Sequence, residues 1–230
     1  VADLGERTTG QLSGTTPTLL VPLGSTEQHG PHLPLDTDTR IATALSGQVA
    51  AQLGHLSAPA IPYGAAGEHQ GFAGTVSIGT AALTAVLVEY GRSACDWAAR
   101  VVFVNGHGGN VDALRSATAT LRGEGRDAAW VSGYRDAVDA HAGHTETSLL
   151  LHLWPDCVLL DRVVTGNNQP LAELMPRMRR GGVAAVSPSG VLGDPTTATA
   201  AAGAAIFADM IAECVRLVRA WQPGPDGMLV

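Results

Sequence analysis

Four consecutive apolar residues, Val101-Val102-Phe103-Val104, run straight into Asn105-Gly106-His107-Gly108-Gly109-Asn110, and a helical stretch follows from Val111 to Gly123. A strand that is apolar at every position is buried on both faces. Followed at once by a loop and a helix, it predicts one unit of a parallel sheet. The unit recurs along the chain. Residues 19–24 predict a second buried strand ending in Gly24, and a helix is expected from Thr39 to Leu53, with Ile41, Leu45 and Val49 four apart and Gly54 as its stop. Residues 58–63 and 128–133 predict further strands, and Thr80 to Ala98 a helix with Leu83, Leu87 and Tyr90 on one face. Further helices are expected at 145–153, 170–180 and 196–221, with residues 1–17 a peripheral polar entry holding one helical turn and 223–230 a tail. The alternation predicts an α/β fold with a mostly parallel sheet and helices on both faces. Neither a linker nor an internal repeat interrupts it, so residues 1–230 are expected to form a single domain. In such sheets ligands bind beyond the carboxyl ends of the strands.

Composition narrows the function. Hydrophobic residues make up 45% of the chain and charged residues 15%, which argues for a sizeable core and against disorder. So little charge is also compatible with surface hidden in a homo-oligomer. The net charge is −7 and no basic run occurs, so neither nucleic acid nor an anionic membrane is an expected partner. No stretch of 18 apolar residues predicts a membrane span, and the start VADLGERTTG lacks a signal-peptide pattern. Cys95, Cys157 and Cys214 are widely spaced and odd in number, as expected of reduced thiols in a cytoplasmic protein.

The polar residues gather where the strands end. In GSTEQHGPHLPLDTD, five possible metal ligands, Glu27, His29, His32, Asp36 and Asp38, fall within twelve residues. Carboxylate oxygens and imidazole nitrogens suit zinc, manganese or iron(II). His107 sits between glycines after the clearest strand; it reads as a ligand, or else as a satisfied core histidine. Gly106, Gly108 and Gly109 let backbone N–H groups approach a substrate or an anion. A third cluster, Asp139, His141, His144 and Glu146, opens a helix, where Glu146 is either a ligand or a capping residue. Glu68 and His69 lie on a Gly-rich loop and either line the pocket or face solvent. Neither GxSxG nor HExxH is present. Two ions about 4 Å apart, bridged by a carboxylate, make hydroxide available near neutral pH and polarise an amide carbonyl. The residues alone thus point to metal-assisted hydrolysis of an amide-like bond.

These motifs resemble the creatininase family. Its Glu-X-His pair, the aspartate nine residues beyond that histidine and its strand-end Asn-Gly-His are matched by Glu27-Gln28-His29, Asp38 and Asn105-Gly106-His107. Glu146-Thr147-Ser148 matches a later Glu-Thr-Ser, and the resemblance covers about residues 18–222. It implies a three-layer α/β/α domain with two divalent ions and assembly as a homo-oligomer, often a hexamer. Glu27 and His107 would bind one ion, His29 the other, and Asp38 would bridge them. One position departs: creatininase carries a glutamate, a ligand of the second ion, where this chain has Gly109. Another carboxylate must then serve, and Glu146 is the candidate. The change argues against creatinine itself as substrate.

Longer segments, among them VPLGSTEQHGPHLPLDTDTRIA, VNGHGGNVDAL and AHAGHTETSLLLH, resemble one branch of the family. That branch cleaves a modified ribosomal precursor peptide in the maturation of a redox cofactor, releasing a C-terminal Val-Tyr-derived unit. The expected catalytic residues are His141 as proton donor, Glu146 and Glu68; the expected substrate contacts are His32, His69, Gly108, Gly109 and His144. A small cyclic-amide or formamide hydrolase is the alternative within the same chemistry, and a metal-bearing binding protein the alternative outside it.

Overall fold

Apolar residues at both odd and even positions of the strands put two separate oily layers on the two faces of one sheet. In the computed structural model, which describes residues 3–134 and 139–230, the strands are β1 (Thr18–Leu23), β2 (Leu56–Ser57), β3 (Arg100–Asn105) and β4 (Ala128–Ser132). Val1 and Ala2 of the expected entry lie outside the described residues. The strands run in the order β2-β1-β3-β4 and every pairing is parallel. Val21 stands beside Phe103, and Phe103 beside Trp130.

The helices are α1 (Thr9–Leu12), α2 (Thr37–Leu53), α3 (Gly79–Ala94), α4 (Val111–Gly123), α5 (His144–Leu153), α6 (Leu171–Gly181) and α7 (Ala200–Ala220). Leu19, Val21, Leu23, Val101, Phe103 and Trp130 pack on Leu83 and Leu87 of α3 and Leu114 and Leu121 of α4. The opposite face, with Leu20, Val102, Val104 and Val131, packs on α2, α5 and α7 through Ile41, Leu45, Leu149, Leu150 and Phe207. Period-two alternation of a strand therefore produces the three-layer arrangement.

Two boundaries differ from expectation for identifiable reasons. The strand expected at 58–63 is reduced to Leu56–Ser57 and an isolated bridge between Leu23 and Ile61. Pro59 and Pro62 have no N–H to continue a ladder. The last helix begins at Ala200 because Pro195–Thr197 form a tight 3-10 turn, after which the Thr199 side chain accepts from Ala202 N–H as a cap. The helix expected from Thr80 to Ala98 stops at Ala94, four residues short, whereas Gly54 ends α2 as expected with φ 67°, a left-handed conformation that glycine adopts without strain.

Both edges of the sheet are covered. Trp130 donates its N–H to the Gly227 carbonyl, and Leu229 donates to the Trp130 carbonyl, so the C-terminal tail lies alongside β4. At the other edge Asp3 bridges to Ser57.

The carboxyl ends of β1 and β3 are pressed against the start of α2. A Cβ on Gly24 would lie 2.2 Å from Thr39 Oγ1, and one on Gly106 would lie 2.6 Å from the Asp38 carbonyl oxygen. Asn110 ties the surrounding loops together: its Oδ1 accepts from Ala65 N–H at 2.8 Å, and its Nδ2 donates to the Gly24 carbonyl at 3.0 Å and to Asn105 Oδ1 at 3.2 Å. Gly106→Ala should therefore destabilise the protein by about 1–3 kcal/mol in urea unfolding, because Asp38 is backbone-tight against it. Gly47→Ala, in open space on α2, should instead stabilise by about 0.5–1 kcal/mol. Equal effects of the two would contradict this packing.

Candidate metal centre

Five side chains from three parts of the chain meet beyond the ends of β1 and β3. Glu27 and His29 come from the loop after β1, Asp38 from the first turn of α2, His107 from the residue pair after β3, and Glu146 from the first turn of α5. All five are buried. His29 Nδ1 lies 3.1 Å from the Glu27 carbonyl, which turns its Nε2 towards Asp38 Oδ1 at 3.0 Å. His107 Nδ1 stands 3.2 Å from Glu27 Oε1 and 3.3 Å from Asp38 Oδ2. Glu146 Oε2 is 3.7 Å from His29 Nε2.

The hydrogen bonds leave this cluster incomplete. Ser25 Oγ donates to Glu27 Oε2 at 3.0 Å, and Ala142 N–H donates to Glu146 Oε2 at 2.6 Å. Glu27 Oε1 and Asp38 Oδ2 are buried and make no well-formed hydrogen bond among the described residues, with only the longer approaches of imidazole nitrogens near them. Such an oxygen is costly unless a cation meets it. Donor atoms of Glu27, Asp38 and His107 lie within 4.8 Å of one another, and so do those of His29, Asp38 and Glu146. Both sets mix carboxylate oxygen with imidazole nitrogen, as zinc, manganese and iron(II) accept. Donor atoms of Glu27, His29 and His141 lie equally close; the residues present thus fit divalent metal, and Asp38 is common to two of these three sets.

Electrostatics follow from the crowding. Burial disfavours a charged His29, but Asp38, Glu146 and Glu27 outweigh it and raise its pKa to about 10. For His107 burial again opposes charge, and Glu27 and Asp38 carry it well above the ordinary value. Burial would raise the Asp38 carboxyl, yet His29 and His107 hold it far below its usual range. Glu146 goes the other way: burial, aided by the charge of Asp38 and opposed by His29, lifts it to about 7. His141 is pushed well below the ordinary histidine value by burial and then by His29 and His69.

His141 Nε2 lies 2.7 Å from the Gln28 carbonyl, so a ring donating from Nε2 presents a bare Nδ1 to Glu27 Oε1 3.8 Å away. A cavity of about 930 Å³ reaches from Asp38, His107, His141 and Glu146 to the exposed residues Asn168 and Gln169. Gly108 and His144 are on its wall, as expected for substrate contacts, and His144 Nδ1 meets Thr197 Oγ1 at 2.8 Å.

Other expected residues are placed elsewhere. His32 is buried with Nε2 2.9 Å from Thr147 Oγ1, tying the loop to α5 instead of facing the cavity. His69 is buried behind His141, with ring centroids 4.4 Å apart and Gln28 Nε2 2.9 Å from its Nδ1. Gly109 has no free space beside it, being closed in by Ala65 and Glu68, and neither it nor Glu68 lines the cavity. Asp36 forms an outer ion pair with Arg40 at 2.7 Å, and Asp139 accepts from Thr145 N–H at 3.3 Å. Glu146 combines both of its sequence readings, since it accepts a backbone N–H and also faces His29.

Two residues carried no sequence signal. Gln28 donates from one buried amide nitrogen to His69 Nδ1 at 2.9 Å and to the Gly190 carbonyl at 3.1 Å, while its backbone carbonyl faces His141 Nε2. Tyr134 borders the cavity with a buried hydroxyl that has no hydrogen-bond partner among the described residues, and burial together with Glu146 and Asp38 raises its pKa well above normal.

Comparison with known proteins agrees with this geometry. The family model "Creatininase: Creatinine amidohydrolase" matches residues 4–218. Several relatives carry the name mycofactocin precursor peptide peptidase. That of Mycobacterium ulcerans is 62% identical over 100% of this chain and 95% of its own length, and that of Mycolicibacterium smegmatis 63% identical over 98% and 94%. Creatinine amidohydrolase of Pseudomonas putida is 34% identical over 64% of this chain and 68% of its own. Among solved structures, a manganese creatininase superposes with a TM-score of 0.79 at 27% identity, covering 97% of this chain and 99% of that one. A creatininase mutant complexed with creatine gives 0.81 at 28%, with the same coverage.

Proton linkage gives a test of the centre. Below about pH 10 His29 holds a proton that an incoming ion must displace, and His107 likewise holds one above its ordinary range. Metal affinity should therefore fall as pH falls. Calorimetric titration of metal-free protein with Zn²⁺ at pH 7, in buffers of different ionisation enthalpy, should give buffer-dependent heats. Heats independent of buffer would mean that these imidazoles are not ligands.

Proposed function

The chain belongs to the creatininase family, and from that premise we propose that it is a metal-dependent peptidase acting on the mycofactocin precursor peptide. It hydrolyses an amide bond near the C-terminus of the modified peptide and releases the Val-Tyr-derived unit during redox cofactor maturation. The observation that carries the hydrolase reading is the pair of buried ligand sets sharing Asp38 at the bottom of a cavity that reaches the surface. The identity of about 62% over whole chains supports the peptide as substrate.

Glu27, Asp38 and His107 would hold one divalent ion, and His29, Asp38 and Glu146 a second, with zinc, manganese or iron(II) as the candidates. When bound, such ions polarise the scissile carbonyl and lower the pKa of nearby water. Glu146 then supplies the carboxylate that Gly109 does not. His141 stays neutral near pH 7, so it can take the proton lost by the attacking water and return it to the leaving nitrogen. His144 and Gly108 contact the peptide along the cavity wall. The reading carries with it a single working domain, a homo-oligomer (a hexamer by family resemblance) and residence in the cytoplasm. No helix among the described residues is long and apolar enough to cross a membrane.

A second reading, hydrolysis of a small cyclic amide or formamide, draws on the likeness to creatinine amidohydrolase. The reach of the cavity to exposed Asn168 and Gln169 favours an open chain over a small ring.

Mass spectrometry of the modified precursor peptide after incubation with the protein decides between them. Loss of a C-terminal fragment, abolished by a chelator and regained with metal, is expected. Intact peptide in every metal-loaded sample would refute the peptidase reading, and small lactams would be next. Elemental analysis should find almost no metal in Asp38→Ala, about half the wild-type content in His107→Ala, and unchanged content and turnover in Cys95→Ser.

A further inference from the structure

We propose that Glu68 is a positioning residue that orients His107 from behind, and that the glycine at position 109 leaves this imidazole edge open to the Glu68 carboxylate. The inference rests on His107 being a metal ligand and adds a residue that acts through it. The two ring nitrogens of His107 face opposite ways. Nδ1 looks into the centre, towards Glu27 and Asp38. Nε2 looks out, 3.3 Å from the Ala65 carbonyl and 3.4 Å from Glu68 Oε1. Both outward neighbours are acceptors, so Nε2 must carry the hydrogen, and Nδ1 is the nitrogen an ion would take once it displaces the proton there. A carboxylate behind a ligating imidazole fixes the tautomer, orients the ring and makes it a stronger donor.

Glu68 is poorly placed for any other task. Its side chain is not on the wall of the reaction cavity, so it has no route to the scissile bond except through the ring. The backbone holds it where it is: it sits in the short 3-10 turn Gly67–His69, and Gly182 packs so closely that a Cβ there would be 2.6 Å from the Glu68 carbonyl. On the near side, a Cβ on Gly109 would stand 2.5 Å from Glu68 Oε1, 2.5 Å from His107 Nε2 and 2.4 Å from the Ala65 carbonyl. A side chain at position 109 would therefore collide with the Ala65 carbonyl, with the imidazole and with the Glu68 carboxylate that shares this edge. Gly108 next door has nothing within 4 Å of its Cβ position, so the requirement for glycine is confined to the position facing Glu68.

The test compares Glu68→Ala and Glu68→Gln with wild type, using metal binding as the first readout. Glu68→Ala should weaken Zn²⁺ binding about 10–100-fold in a chelator competition and alter the visible absorption of the Co²⁺-loaded protein. Glu68→Gln keeps an oxygen that can accept from Nε2 and should recover most of that affinity. With peptide substrate, Glu68→Ala should lower kcat and leave KM close to wild type. Thermal unfolding of the metal-free variants identifies any loss of fold, and the Gln variant keeps the comparison usable if Ala is unstable. Wild-type affinity and spectrum in Glu68→Ala, or a raised KM with normal metal binding, would overturn the positioning role. Failure of the wild-type protein itself to bind metal would instead remove the underlying reading, and that control is run first.

Discussion

Three carboxylates, Glu27, Asp38 and Glu146, are buried within reach of one another, and their mutual repulsion is the constraint around which this molecule is arranged. The sequence contains no lysine, and among the described residues no arginine forms an ion pair with any of the three. Relief comes from protonated imidazole or from divalent cations. Helix starts help as well, since Asp38 and Glu146 each lie in a first turn, where exposed backbone N–H groups favour an anion. The tight contacts of Gly24 and Gly106 and the triple bond set of Asn110 hold those first turns against the strand ends. Removing charge from the centre would change the stability of the loops as much as their chemistry.

The two ligand sets are unequal. His107 is fixed by a strand end and by contacts on its outer edge, and it lines the cavity together with Asp38. The set containing Glu146 stands on a helix that also forms part of the cavity wall, and one oxygen of Glu146 is already engaged by the Ala142 N–H. Both sets therefore present one residue of their own to the cavity, His107 from a strand end and Glu146 from a helix start. The shared Asp38 couples them, so a disturbance on one side is felt on the other.

Much of this was legible in the sequence because the signals were local. An apolar run followed by glycines around His107 defines both a strand and a site within ten residues, and Glu27, His29 and Asp38 lie in one loop. Pro59 and Pro62 were visible too, and their missing donors explain why an apolar segment did not become a full strand. What spacing could not reveal was direction. His32 is three residues from His29, yet it turns to Thr147, 115 positions away. Gln28 reaches His141 across 113 positions, and Tyr134 follows a strand with nothing nearby to mark it. Contacts of that kind exist only after the layers have packed. The departure at Gly109 was readable as a lost side chain, but the carboxylate that shares this edge, Glu68, was readable only in three dimensions.

The covered edges of the sheet bear on how copies of the chain can meet. Open edge strands offer free N–H and C=O groups that recruit other chains into continuous β-structure. Here the tail at Gly227–Leu229 satisfies the outer backbone of Trp130, and Asp3 does the same beside Ser57. Neither side of the sheet is then available for strand-to-strand growth. Copies of the chain that met through helix flanks and loops would leave these edge contacts intact, whereas edge-to-edge pairing would first have to displace a few residues of plain main chain.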